Sequence, residues 1–108
     1  SSMNKITINV KTIICSGNNV TINNGKVIVD GEVIHESSGD VKAIIDGDVK
    51  SVKCEGAVEV RGSAGTIDCG GSCTVVGDVK GSIDAGSSVT CGNVGGDIDA
   101  GGSVMYRE

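Results

Sequence analysis

The 108-residue sequence has no leucine, phenylalanine, tryptophan, glutamine or proline, and a single tyrosine. Those absences remove the residues that usually build helices and aromatic cores, so helices are not expected. In their place valine and isoleucine together number 28, accompanied by 18 glycines. β-Branched side chains are stiff at χ1 and pack well on a pleated surface, while glycine supplies tight turns. The chain therefore reads as strand and turn, in one domain with a modest core.

A clustered basic face is also missing. The net charge is −5, and Lys42, Lys50, Lys53, Arg61 and Lys80 are scattered among acids, which describes a mixed solvated surface. Nucleic-acid binding through phosphate neutralisation is excluded on that ground, and only Tyr106 could stack a base. No apolar run of about 18 residues and no basic n-region with an apolar h-region occurs, so neither a membrane span nor a signal peptide is expected. Ser1 and Ser2, ahead of Met3, read as an expression scar. Five cysteines are an odd number, which excludes a fully paired framework, and without a secretory signal they are expected as reduced thiols of a cytoplasmic protein.

What is present is a repeat. Residues 77–91, GDVKGSIDAGSSVTC, are followed at once by GNVGGDIDAGGSVMY, an edited copy. The tripeptides that begin at Gly47, Gly62, Gly77 and Gly92 recur at one constant interval, each a glycine, a small polar residue and a small apolar one. Two further lanes run Val52, Ile67, Ile83, Ile98 and Val58, Cys73, Val89, Val104, with one step in each lengthened by a single position. The extra position is taken back before Gly92, so one corner lengthens and the next shortens. Short apolar segments at this period, about 15 residues, suit a β-solenoid, in which stacked turns lie about 4.8 Å apart and each lane becomes a ladder.

Lane identity then assigns side chains. Cys54, Cys69, Ala85 and Ala100 share the parity of the isoleucine lane, which makes the two cysteines small core fillers where later copies carry alanine. Zinc binding by Cys69 and Cys73 is the competing reading; it needs close, convergent ligands, whereas these two stand four residues apart on an extended chain and no Cys-x-x-Cys pair follows. Stacked Cys54 and Cys69 could also come close enough to oxidise. Between these inward positions Lys53, Asp68, Asp84 and Asp99 face outward. Three carboxylates rising at strand spacing repel one another or invite calcium, so Asp68, Asp84 and Asp99 are the candidate cation ligands; solvent-facing acids are the plainer reading.

Residues 4–34 lack the period but alternate: Ile6, Ile8 and Val10, then Val20 and Ile22, then Val27 and Val29. Asn23-Asn24-Gly25-Lys26 carries the Asn-Gly hairpin signal, and Asp30-Gly31 offers a second tight turn. The expected architecture is all-β: a small right-handed parallel β-solenoid with coils of about 15 residues and an antiparallel N-terminal hairpin cap. The cap covers residues 4–34 and the solenoid residues 35–106, with an irregular first coil at 35–46 around Gly39-Asp40-Val41 and four regular coils at 47–106. A terminal coil exposes unpaired N–H and C=O groups that recruit another chain. The hairpins can cover one end. The other runs out at Val104-Met105-Tyr106-Arg107-Glu108, which makes Val89, Val94, Val104 and Tyr106 the candidate self-association edge.

The pattern Gly77, Val79, Ile83, Ala85, Gly86, Val89 resembles bactofilins and related polymer-forming β-helical proteins. The resemblance implies short coils stacked into a rod, and rods that associate end to end. The stretch from Asn18 to Gly31 is similar to the opening of small bacterial and phage proteins that continue into Gly-Asp-Val repeats, which would place the chain in a virion if it is phage-encoded. Hexapeptide-repeat acyltransferases also stack coils of isoleucine or valine. Here the apolar lanes do not advance by three equal steps of six, and the sole histidine, His35, lies outside the four copies. No nucleophile, base and orienting group form a recognisable motif, and no cofactor is implied. The expectation is a non-catalytic structural or interaction protein whose partner is a second copy of itself, with a rigid binding module as the alternative.

Overall fold

The computed structural model describes residues 11–23, 25–36 and 41–106, and these contain thirteen strands and no helix. The strands are β1 (Lys11–Cys15), β2 (Asn19–Asn23), β3 (Lys26–Val29), β4 (Glu32–Glu36), β5 (Val41–Ile45), β6 (Val49–Cys54) and β7 (Val58–Val60). They continue with β8 (Ala64–Cys69), β9 (Cys73–Val75), β10 (Ile83–Ala85), β11 (Val89–Cys91), β12 (Ile98–Ala100) and β13 (Val104–Tyr106). One sheet has the order β1-β5-β7-β9-β11-β13 and the other β12-β10-β8-β6-β2-β3-β4. The chain alternates between them, laying one strand on each sheet per coil. This is a parallel β-solenoid.

The register follows the repeat. Val79 bridges Val94, Ile83 lies beside Ile98 and Ile67, and Val89 lies beside Val104 and Cys73. The lengthened steps fall between Ile67 and Ile83 and between Cys73 and Val89, and the ordinary step is restored between Val79 and Val94. Five inward ladders fill the interior: Val49, Ala64, Val79; Val52, Ile67, Ile83; Cys54, Cys69, Ala85; Val58, Cys73, Val89; and Ile45, Val60, Val75, every one buried. Their compact side chains stack lane by lane, so burial is obtained without any large residue.

The glycine corners exist because successive coils touch backbone to backbone. A methyl group on Gly86 would overlap the carbonyl oxygen of Gly70, and one on Gly101 would overlap that of Gly86. The corner is held by Gly86 N–H donating to the Cys69 carbonyl at 3.0 Å and Gly101 N–H to the Ala85 carbonyl at 3.0 Å. The polar residue of each Gly-polar-apolar tripeptide has a matching task. Asp48 Oδ1 accepts the N–H of Ser63 at 2.8 Å, Ser63 Oγ that of Asp78 at 3.4 Å, and Asp78 Oδ1 that of Asn93 at 2.9 Å. The short side chain that recurs once per coil is a coil-to-coil hydrogen bond.

The reading of the N-terminal third needs one correction. Its two hairpin turns are present: Asn23 pairs with Lys26 across Gly25, whose φ is 79°, and Val29 pairs with Glu32 across Asp30 and Gly31, with φ 51° and 84°. The antiparallel pairing, however, is confined to β2·β3 and β3·β4. β1 pairs parallel with β5 and β2 parallel with β6, so residues 11–23 already form a solenoid coil. Alternation marks a half-buried strand and carries no information about the direction of its neighbour. The partners Ile13 and Ala43 are separated along the chain by twice the repeat, because the β3–β4 excursion occupies the place of one coil. Asp30 anchors that excursion, accepting the N–H groups of Asn18 and Asn19 at 3.2 and 2.9 Å. Ile6, Ile8 and Val10, and Gly39 and Asp40 of the expected irregular first coil, lie outside the described residues.

Candidate functional site

Among the described residues, the last coil, from Val94 onward, has inward residues that are incompletely covered. Val94, Ile98 and Ala100 are half-buried against the core, and Val104 is 39% exposed. Their equivalents one coil earlier, Val79, Ile83, Ala85 and Val89, are 3% exposed or less. Met105 and Tyr106 are exposed as well. β12 and β13 are the last strands of their sheets, so among the described residues the outer N–H and C=O groups of both have no strand beyond them. The Asn93 side chain occupies the ladder position that Asp78 fills one coil below.

Three of the four edge residues chosen from sequence therefore belong to this last coil: Val94, Val104 and Tyr106. Val89 does not. It is buried in β11 between β9 and β13, and its N–H donates to the Ser103 carbonyl at 2.9 Å, because the last copy of the repeat lies on top of it. Ile98 and Ala100, which sequence reasoning left out, complete the end face. Membership of the same lanes as Ile83 and Ala85 was the signal that could have found them.

Lys53, Asp68, Asp84 and Asp99 form the expected outward ladder on β6, β8, β10 and β12. The three aspartates, with Thr66, Ser82 and Asp97, line a shallow groove on that sheet. Among the described residues no group of three or more His, Cys, Asp or Glu side chains is arranged to hold a metal ion.

The cysteines are all buried thiols. Cys54 and Cys69 are direct neighbours on β6 and β8, with Ala85 and Ala100 continuing the lane. Cys54 and Cys73 both neighbour Cys69, and their interaction with its sulfur together with burial pushes their own thiols up. Cys69 is drawn down by Cys54 and Cys73 beside it, against the opposing effect of its burial. Cys54 and Cys69 also donate to the carbonyls of Gly56 and Gly71, each at 3.4 Å. His35 stands on β4 opposite Val27, away from the coil stack, with its Nε2 buried and without a hydrogen-bond partner.

No protein-family model matches the chain, and no curated protein or solved structure matches it. The likeness to bactofilins stands on the coil pattern alone. No helix among the described residues is long and apolar enough to cross a membrane.

Proposed function

We propose that this protein is a non-catalytic structural scaffold that self-associates through the last coil of its solenoid. One observation carries the reading: among the described residues the last strands of both sheets lie at the same end, where an interior that is sealed in the preceding coils becomes half-exposed at Val94, Ile98, Ala100 and Val104. Burying such an end against a strand of another chain gives main-chain hydrogen bonds and apolar cover together. The acyltransferase reading loses support because His35 sits in the hairpin excursion and not on the coil stack.

Sedimentation velocity over a rising concentration series tests the proposal. The wild type is expected to associate, and Val104→Lys, which sets a charge at the inward position of β13, is expected to shift the population to a soluble monomer. A wild-type chain that stays monomeric at high concentration removes the scaffold reading in favour of a monomeric binding module.

A further inference from the structure

We propose that Cys54 and Cys69 are an oxidation-sensitive pair: a hydroperoxide oxidises Cys69, and Cys54 closes onto it in a disulfide that staples two successive coils. The proposal concerns a single chain and stands apart from the self-association above.

The placement comes from the ladder. Cys54 ends β6 and Cys69 ends β8, and the two are direct partners in a parallel pairing that begins at Val49 and Ala64. Adjacent strands lie about 4.8 Å apart, inside the roughly 4.4–6.8 Å Cα separation that a disulfide spans. Both side chains are buried in one inward lane. Their sulfurs are turned the same way as well, Cys54 Sγ toward the Gly56 carbonyl and Cys69 Sγ toward the Gly71 carbonyl, each at 3.4 Å. Ala85 and Ala100 continue the lane, so the pair can tie only the coil of β6 to the coil of β8.

A third sulfur makes the middle one reactive. Cys73 neighbours Cys69 from its own coil, and together Cys54 and Cys73 draw the Cys69 thiol down to about 4, while both of them are pushed up. At neutral pH Cys69 is then the thiolate and its neighbours keep their protons. The thiolate is the form that attacks a peroxide, and a thiol beside it turns the first product into a disulfide.

The Cys69 sulfur attacks one peroxide oxygen and the O–O bond breaks. The departing oxygen takes up from solvent the proton that Cys69 had released and leaves as water or an alcohol, with Cys69 now a sulfenic acid. The Cys54 sulfur attacks the Cys69 sulfur, the S–O bond breaks, and the hydroxide leaves as water with the Cys54 proton. The two electrons lost by the pair of thiols are the two gained by the hydroperoxide.

Cys54 is the better partner of the two neighbours. Cys73 is held on the other sheet between Val58 and Val89, and the corner between it and Cys69 is pinned, with Gly70 N–H donating to the Cys54 carbonyl and Gly71 N–H to the Gly56 carbonyl, each at 3.0 Å. Drawing Cys73 onto Cys69 strains that corner, whereas Cys54 is already in register. Cys54 is also the most exposed of the three, at 7%.

The experiment treats the folded full chain with hydrogen peroxide, blocks the remaining thiols with iodoacetamide, then unfolds it, digests it with trypsin and weighs the peptides. Cleavage after Lys53, Arg61 and Lys80 puts Cys54 in one peptide and Cys69 with Cys73 in another. The expected result is loss of two of the five thiols and a cross-link between peptides 54–61 and 62–80 that fragmentation assigns to Cys69. The oxidised chain is expected to unfold at higher urea, because the link restricts the unfolded state, and dithiothreitol should reverse the shift. Cys69→Ala, which copies Ala85, should leave Cys54 reduced under the same treatment; a surviving cross-link would place Cys73 in the bond and overturn the pairing. A link inside peptide 62–80, links through Cys15 or Cys91 in the proportions the unfolded chain gives, or a folded chain that keeps all five thiols while the unfolded chain loses them, would each overturn the proposal.

Discussion

Residues 77–91 and 92–106 are near-copies in sequence, yet they live in different physical settings. Ile83 is 1% exposed and Val89 1%, whereas Ile98 is only half-buried and Val104 is 39% exposed. The side chains are alike and the backbone path is alike. The difference is that, among the described residues, one coil has a neighbour above it and the other has none. In a stacked repeat, stability is a sum of coil terms and interface terms, and the last coil has one interface where inner coils have two. Equivalent substitutions in the two copies should therefore differ by about the worth of one interface.

Glycine corners should break the comparison most sharply. Gly86→Val drives a side chain into the Gly70 carbonyl while Gly101 holds it from the other side, and is expected to cost about 3 kcal/mol or more. Gly101→Val meets the Gly86 carbonyl but can relieve the overlap by lifting the last coil, so it should cost less and leave the denaturant midpoint closer to wild type. Equal losses would mean that the last coil is as firmly held as the inner ones.

Next come the apolar lanes. Ile83→Ala opens a cavity at a sealed position and should cost about 3–4 kcal/mol, against about 1–2 kcal/mol for Ile98→Ala. Urea denaturation measured well below the association concentration reads this gap. Raising the concentration should narrow it, because a partner on the end face gives Ile98 the cover that Ile83 already has.

The tripeptide ladder gives a smaller contrast. Asp78→Ala leaves the Asn93 N–H without its acceptor and is expected to cost about 1 kcal/mol, while Asn93→Ala, with no coil above, should be near neutral in the dilute monomer. Thermal midpoints of the two variants test it.

The smallest effect concerns the lane that is cysteine in the earlier copies and alanine in the later ones. Cys54→Ala copies what Ala85 does two strands along the same sheet, and should cost about 1 kcal/mol at pH 7. Thiols whose folded pKa is raised, Cys15 by burial and Cys54 and Cys73 chiefly by the Cys69 sulfur beside them, contribute stability that is complete below the unfolded value of roughly 8.5 and is lost as pH rises above it. Cys69, lowered to about 4, has the opposite sign: its contribution is present above the unfolded value and is lost as pH falls toward about 4. The three raised groups should prevail, so the wild type is expected to lose stability in alkaline titrations, and less steeply once Cys54 is alanine.

The repeat made the stacked lanes legible because a coil that pairs with its own copy must reproduce side-chain type at a fixed interval. Val79 over Val94, the cysteine–alanine lane and the outward aspartates could all be placed by counting. The two hairpin turns were legible for a local reason, since Asn-Gly and Asp-Gly accept positive φ where other residues resist it. The first coil was not. With a hairpin inserted, β1 and β5 are separated by twice the usual interval, and only Ile14 and Ile44 among the partners repeat the same residue.

The sequence by itself determined strand against helix, the coil length, the inward and outward faces, and the turns, because each depends on neighbours along the chain or on a strict period. Only the tertiary structure decided that β1 and β2 join the stack, that Val89 is sealed while Val104 is not, and that Cys54 and Cys73 are gathered around Cys69. Those outcomes depend on which strand lies alongside which, and pairing across a gap in the repeat is settled by long-range packing that no local pattern records.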